Sequence, residues 1–159
     1  MVTRRAVAIA VSLTCCATAT AQQTQQQLDT ATAVCYGVQT STNTLVTYTE
    51  TMCIPSPGKE GASSFLVISS EPVFSAEASK KAWLLVVVAV IGKEMNDRPT
   101  FRGDEVWVSD VNQTKARVAY VLPTSLTKSL QSRAYNGQID LDQMYAEITR
   151  NLVRKTVSR

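Results

Sequence analysis

The chain has 159 residues, of which 45% are hydrophobic and 18% are charged, and its formal net charge is +3 at pH 7. This length and composition fit a single folded domain with one hydrophobic core. The chain contains no histidine, which excludes Ser-His-Asp and Cys-His catalysis, histidine general bases and histidine-containing zinc sites.

The first 21 residues have the layout of a secretory signal peptide. Arg4 and Arg5 precede a short apolar stretch, and the small residues that end at Ala21 match a cleavage site. We therefore expect residues 1–21 to be removed and the protein to be periplasmic or secreted; the alternative is an N-terminal membrane anchor. Removal of the two arginines lowers the net charge by two, to +1, so the overall charge gives no reason to expect a nucleic-acid partner.

The residues that follow the signal peptide divide into a leader and one domain. Residues 22–32 are rich in glutamine and predict a flexible leader. Residues 33–159 are then expected to form a single α+β domain. Its first part is rich in Thr, Val and Tyr and predicts a β-hairpin, with strands at 33–39 and 45–52.

Two cysteines remain after the signal peptide, Cys35 and Cys53. An isolated pair in an exported protein is usually oxidised, so we expect a disulfide bond between the two strands of the hairpin. A redox-active pair is the alternative, but the spacing is unlike Cys-x-x-Cys.

Ten consecutive apolar residues, 82–91, form the most hydrophobic stretch after the signal peptide. Charged residues flank the stretch on both sides, and a membrane-spanning helix needs roughly 20 apolar residues. We therefore predict a buried central helix over about 75–96, with Ser75 as its N-cap. The short apolar segment 65–69 predicts a buried strand that leads into this helix.

One face of the predicted central helix changes from polar to apolar along its length. Glu77 and Lys81 share this face with Leu84 and Val88. The middle of the helix must therefore be covered on both sides. Either the C-terminal part of the chain covers Leu84 and Val88, or these two residues form an interface with another chain.

A second hairpin and two helices are predicted after the central helix. Apolar and polar residues alternate over 105–109 and 115–122, which indicates two strands joined by a turn. A helical hairpin then follows over about 124–157. Its second helix has a capping-box sequence, with Asp140 at the N-cap and Gln143 three residues later.

Basic residues are concentrated at the C-terminal end of the chain. Residues 22–111 contain 6 basic and 10 acidic groups, whereas residues 112–159 contain 8 basic and 3 acidic groups. The basic part could attract an acidic surface, or the two parts could attract each other. Arg150, Arg154 and Lys155 are predicted to lie in the last turns of a helix, where cations are favourable, and they are also interface candidates.

Few residues of the sequence are arranged as a catalytic or metal-binding site would require. Ser125 and Lys128 match the Ser-x-x-Lys pattern of penicillin-recognising enzymes, but the accompanying motifs of those enzymes are absent and an ordinary helix start is the simpler interpretation. Acidic residues that could bind a cation have simpler roles, such as the helix cap at Asp140. We expect no metal and no cofactor, because the sequence has no heme, flavin or nucleotide motif.

The predicted fold is α+β, with a mainly antiparallel sheet of about five strands packed on a central helix and followed by a C-terminal helical hairpin. We expect an exported, non-enzymatic binding or assembly protein that acts through protein–protein contacts, with a protein partner or a second copy of itself. The alternative is a small extracytoplasmic hydrolase that uses carboxylates or the Ser125/Lys128 pair.

Overall fold

The computed structural model describes residues 23–158, which form a five-stranded sheet with helices packed on one of its faces. The predicted signal peptide, residues 1–21, lies outside the described residues. In chain order the elements are α1 (Gln25–Leu45), β1 (Thr51–Pro57), β2 (Ser63–Ser69), α2 (Glu77–Asn96), β3 (Gly103–Asp110), α3 (Val111–Lys115), β4 (Val118–Pro123), α4 (Thr124–Tyr135), α5 (Leu141–Asn151) and β5 (Val153–Thr156).

The strands lie in the sheet in the same order as in the sequence. Strands β2 and β3 are parallel, and the other three neighbouring pairs are antiparallel. Parallel neighbours need a long crossover connection, and α2 provides it between β2 and β3. The predicted α+β fold, with a mainly antiparallel sheet of about five strands and a central helix, is confirmed.

The hairpin expected from strands at 33–39 and 45–52 is wrong: α1 covers the first of these ranges, and the second is mostly loop, with β1 beginning only at Thr51. The prediction of a flexible leader at 22–32 is also wrong over most of its length, because α1 begins at Gln25. Glutamine is a good helix former, and a buried stripe at helical spacing outweighs the strand preference of Thr and Val. The buried residues of this stripe are Ala31, Val34, Cys35, Val38 and Thr42.

Cys35 and Cys53 form the predicted disulfide bond, with their Cα atoms 5.1 Å apart. The bond joins α1 to β1 and not two strands of a hairpin. Two amide side chains of α1 also bind β1. Asn43 Oδ1 accepts a hydrogen bond from Thr51 N at 2.7 Å, and Gln39 Oε1 accepts one from Cys53 N at 3.3 Å. Asn43 Nδ2 also donates a hydrogen bond to Thr51 O, so α1 is held along β1 by one covalent bond and three hydrogen bonds.

Helix α2 runs over Glu77–Asn96, close to the predicted range 75–96. Its N-cap is Ala76 and not Ser75, whose hydroxyl instead donates a hydrogen bond to Pro72 O at 2.6 Å. The helix is apolar around most of its circumference, as a helix buried on several sides must be.

The side of α2 that carries Leu84 and Val88 is covered by the chain itself. Leu84 and Val88 are both 0% exposed, and they belong to the same buried cluster as Met144 and Ile148 of α5. The hypothesis that Leu84 and Val88 form an interface with a partner is therefore wrong, because the C-terminal helices pack on this part of α2.

Helices α4 and α5 form the predicted C-terminal hairpin. Asp140 accepts a hydrogen bond from Gln143 N, and the Gln143 side chain accepts one from Asp140 N, so the predicted capping box is confirmed. Arg133 of α4 donates two hydrogen bonds to the carboxylate of Glu147 of α5, at 3.0 and 2.6 Å. These bonds lower the pKa of the Glu147 carboxyl.

The end of the hairpin differs from the prediction. Helix α5 stops at Asn151, and the residues predicted as its last turns, up to about 157, include the strand β5. The basic residues near the end favoured a helix terminus, but Val153, Thr156 and Val157 are β-branched and Val153–Thr156 pairs with β4. The sheet thus gains its fifth strand from the C-terminal region.

The second hairpin, β3 and β4, is confirmed, and its turn contains the short helix α3. Asp110 is 1% exposed and caps α3 by accepting hydrogen bonds from Asn112 N at 3.0 Å and Gln113 N at 2.8 Å. Its other oxygen accepts a hydrogen bond from Phe74 N at 2.9 Å. One buried carboxylate therefore connects the end of β3 and the start of α3 to the turn before α2.

Substitution of Val87 by aspartate should prevent cooperative folding, because Val87 is completely buried in α2 and an unpaired charge there would lose its hydration. Ala82→Asp is the matched control on the exposed side of the same helix, and it should fold. Thermal melting followed by circular dichroism distinguishes the two. A soluble Val87→Asp protein with a cooperative melt would contradict this placement of α2 in the core.

Removal of the disulfide by the double substitution Cys35→Ser and Cys53→Ser should lower the free energy of unfolding by about 3 kcal/mol, because the bond closes a loop of 18 residues. Urea unfolding of the variant and the oxidised parent measures the difference. Thiol labelling of the denatured parent should find both cysteines blocked, and two free thiols in the exported protein would refute the pairing.

Candidate functional site

A row of apolar side chains crosses all five strands on one face of the sheet. Residues paired across neighbouring strands point to the same face. The pairing register connects each member of this row to the next, and the members are Ile54, Leu66, Trp107, Val121 and Val153. We call this side of the sheet the open face; it comprises the row and the residues beside it, Met52, Ile68, Ala119 and Lys155.

The two faces of the sheet differ in burial at their margins, whereas Ala119 and Val121 on the open face are only 3% and 4% exposed. On the helix-covered face, the alternating residues of β2 and β3 are 0% exposed: Phe65, Val67, Val106 and Val108. On the open face, Met52 is 49% exposed, Ile54 is 46% exposed and Val153 is 55% exposed. The margins of the open face therefore present large apolar side chains to solvent.

Trp107 lies at the centre of the open face within a small polar cluster. Its indole N–H donates a hydrogen bond to Glu105 Oε2 at 3.1 Å. Lys155 Nζ lies 5.0 Å from the centroid of the Trp107 ring and 3.5 Å from Glu105 Oε1. The cation–π contact and the ion pair thus place a charged pair beside an aromatic ring on an otherwise apolar surface.

An apolar groove of about 290 Å³ lies at one end of the open face. Leu66 and Ile68 form one part of its lining, and Val157 forms another. Arg117 contributes the main charge, and its backbone is left-handed, with φ of 57°. The groove has the size and lining to accept an apolar side chain from another molecule.

A second cavity, of about 570 Å³, contains the sequence-predicted pair Ser125 and Lys128. The structure brings the two side chains to the same cavity, whose other charged lining residues are Lys59, Glu60, Arg102 and Asp104. Ser125 is exposed and Lys128 is half-buried.

No base within residues 23–158 forms a hydrogen bond with the Ser125 hydroxyl. In the first turn of α4, the hydroxyls that form hydrogen bonds within residues 23–158 are those of Thr124, to Asp104 O, and Thr127, to Thr124 O. A serine nucleophile is normally activated by an adjacent base at about 3 Å. The cavity thus places the two predicted residues together without the contact that activation needs.

The sequence predicts that the three basic interface candidates share one helix end, but the structure separates them. Arg150 is exposed on α5, whereas Arg154 and Lys155 lie on β5 and point to opposite faces of the sheet. Lys155 is on the open face beside Trp107. Arg154 pairs with Tyr120, whose ring stacks on Phe74 with the centroids 4.8 Å apart, so Arg154 is on the helix-covered side.

The acidic residues considered for cation binding are occupied in other ways. Asp140 caps α5, and Asp142 Oδ1 accepts a hydrogen bond from Lys81 Nζ at 2.5 Å, which lowers the pKa of Asp142. Asp104 Oδ2 accepts a hydrogen bond from Lys59 N at 2.9 Å. Within residues 23–158, no three His, Cys, Asp or Glu side chains come together in a way that could hold a metal ion.

The open face was not predicted from the sequence, although the sequence contains a signal for it. The segment 65–69 is apolar on both faces of the strand, a pattern that predicts full burial, but Leu66 and Ile68 are only half-buried. Met52 and Ile54 also alternate correctly, but β1 was placed too early in the chain. The pattern showed apolar faces but not which of them the helices would cover.

None of the helices between residues 23 and 158 is both long enough and apolar enough to cross a membrane. Comparison of the chain with protein-family models, curated proteins and solved structures finds no match. The geometry of the described residues is therefore the basis for a functional proposal.

Proposed function

We propose that this chain is an exported, non-enzymatic binding or assembly protein that acts through protein–protein contacts at its open face. The observation that carries this proposal is the apolar row from Ile54 to Val153, which crosses every strand on the face opposite the helices. Export is supported by the signal-peptide layout of residues 1–21 and by the Cys35–Cys53 disulfide, which persists in oxidising compartments.

The chemistry of the open face is that of a protein interface. Large exposed apolar side chains around a partly buried centre are typical of protein interaction sites, and Met52, Ile54 and Val153 are exposed in this way. Trp107, with its hydrogen bond to Glu105, is a partly buried aromatic residue at the centre, the position at which aromatic residues commonly dominate binding energy. Lys155 adds a charge that can select between partners by electrostatic complementarity.

Charges placed on the open face should abolish binding without unfolding the protein. The double substitution Ile54→Glu and Val153→Glu changes two side chains that are 46% and 55% exposed, so the fold should be retained. Sedimentation velocity measures self-association, and quantitative capture from the exported fraction of the native source measures partner binding. We expect the complex or oligomer of the parent to be lost in this variant.

A matched control carries the same charges on the helical side. Tyr36 is 75% exposed on α1 and Tyr135 is 85% exposed on α4, so the double substitution Tyr36→Glu and Tyr135→Glu should retain the parent's binding. The proposal fails if no bound species depends on the open face, or if both double variants lose the same species.

A small hydrolase is the second candidate function, because Ser125 and Lys128 line one cavity together with the carboxylate of Asp104. The arrangement provides a hydroxyl, an amine and an acid on the rim of one concave site. The missing contact between the hydroxyl and a base makes this candidate weaker than binding at the open face.

A serine-reactive fluorophosphonate separates the two candidates. We expect intact-mass spectrometry to show no adduct on Ser125, because an unactivated serine reacts slowly with such a reagent. The Ser125→Ala and Lys128→Ala variants are the controls. An adduct that forms on the parent and disappears in both variants would favour the hydrolase.

A further inference from the structure

We propose that β5 receives an extended acidic–apolar segment of a partner protein as a sixth strand of the sheet, next to the open face. This mode of binding rests on the proposed function and deepens it, because it names the chemistry of the partner and the edge where it docks. Such strand addition relies on main-chain hydrogen bonds for affinity and on alternating side chains for specificity.

The two edges of the sheet are formed by β1 and β5. The backbone groups of successive residues in a strand point alternately to its two edges. Ser70 N donates a hydrogen bond to Glu50 O at 2.8 Å, which sets this alternation along β1. The β1 residues whose backbone groups point away from β2 are therefore Thr51, Cys53, Pro55 and Pro57.

All four outward-facing positions of β1 lack a free N–H group. The N–H groups of Thr51 and Cys53 donate to the side chains of Asn43 and Gln39 on α1. The two prolines have no N–H at all, and proline at an edge is a common barrier to strand addition. Asn43 Nδ2 also donates to Thr51 O at 3.1 Å. The β1 edge therefore has no free N–H group to offer an added strand.

The β5 edge has none of these protections. Val157 N donates a hydrogen bond to Arg117 O at 2.8 Å, so Val153 and Lys155 direct their backbone groups to β4, while Arg154 and Thr156 direct theirs outward. Within residues 23–158, β5 pairs with β4 alone. The outer edge therefore offers two N–H donors and two carbonyl acceptors to an added strand.

The charge of this edge favours an acidic strand. Lys155 has a carboxylate partner in Glu105, but Arg154 forms no ion pair with any residue of the described part of the chain. Arg150 is exposed just before the strand begins. Residues 112–159, which contain this edge, have 8 basic and 3 acidic groups. A carboxylate on an added strand, opposite Arg154, would therefore form an ion pair with a guanidinium that has no carboxylate partner in the described part of the chain.

A second copy of the chain fits this edge poorly. Among the two-fold antiparallel pairings of β5 with itself, the two that pair the most residues of the strand place either Arg154 opposite Arg154 or Lys155 opposite Lys155. Like charges directly opposite each other destabilise a strand pair. The same basic residues that attract an acidic segment therefore oppose self-pairing.

The alternation of side chains defines the partner's sequence pattern. Residues of the added strand on the helix-covered side lie beside Arg154 and should be acidic. Residues on the other side extend the open face beside Val153, which is 55% exposed, and Val157, which is 45% exposed, and they should be apolar. The segment is thus an extended run in which acidic and apolar residues alternate.

The test uses ¹⁵N-labelled, oxidised protein from residue 22 onward and two short, end-blocked peptides, one of alternating valine and glutamate and one of alternating valine and lysine. The glutamate peptide should shift the amide resonances of Arg154 and Thr156 and slow their hydrogen exchange, and the lysine peptide should bind at least about tenfold more weakly. The Arg154→Glu variant should reverse this preference.

Thr156→Pro tests the role of the backbone, because it removes one outward N–H and leaves the hydrogen bonds between β5 and β4 in place. Thr156→Pro should weaken binding of the glutamate peptide about tenfold or more. The matched variant Thr156→Val keeps the N–H and should bind the same peptide with an affinity within about twofold of the parent's. Equal binding of both peptides, no binding at millimolar peptide, or binding unaffected by Thr156→Pro would overturn the β5 site.

Two outcomes separate this site from the proposed function. If a native complex is lost in the Ile54→Glu and Val153→Glu variant but not in Thr156→Pro, the open face binds a partner and the strand-addition site is refuted. If the parent sediments as a homodimer and Thr156→Pro dissociates it, the strand added at the β5 edge comes from a second copy of the chain and the acidic partner segment is refuted.

Discussion

The apolar circumference of α2 is the constraint on which the rest of the structure depends. At 100° per residue, Trp83, Leu84, Val87, Val88 and Ile91 spread over roughly 140° of the helix circumference, and all are 0% exposed. A sheet covers only one side of such a helix, so other helices must cover the remainder. Helices α1, α4 and α5 serve this purpose, and they therefore lie on the same side of the sheet as α2. Among the elements of residues 23–158, no long helix lies on the opposite side, where the open face results.

Close packing between α2 and α4 depends on a small residue. A side chain at Gly92 would collide with the backbone carbonyl oxygen of Thr127 in α4. Asn96, one turn further along, donates hydrogen bonds to Lys128 O at 3.1 Å and to Gln131 Oε1 at 2.7 Å. The contact that buries α2 thus also positions the first turn of α4, where Ser125 and Lys128 border the polar cavity.

Local signals were sufficient for the elements with strong caps or simple periodicity. The capping box at Asp140, the alternation along β3 and β4 and the long apolar run of α2 all predicted the elements that form. Helix α1 was missed because its Thr-rich segment also fits a strand, and its stability comes from packing on β1 and α2. Strand β5 was missed because Arg154 and Lys155 suit a helix end as well as a sheet edge.

The candidate site was less accessible to sequence reasoning than the fold. An apolar residue such as Leu66 or Trp107 indicates burial, but its actual exposure depends on how many helices the chain has and which side they occupy. The expected export and the presence of only two cysteines after the signal peptide were enough to predict the disulfide. The secondary-structure elements predicted for the two cysteines were wrong, because the bond joins α1 to β1. Ser125 and Lys128 do share a cavity, and only coordinates could show that the hydroxyl has no adjacent base in the described part of the chain.

Strand β5 also has a dynamic consequence. It is four residues long and has one neighbour, so its hydrogen bonds to β4 cost the least to open of any in the sheet. Backbone protection should therefore decline across the sheet, from the central strands β2 and β3 towards β5, while β1 stays protected by its covalent bond to α1. The two ends of one sheet thus differ in local stability, and the less stable end is the one whose outer edge faces solvent.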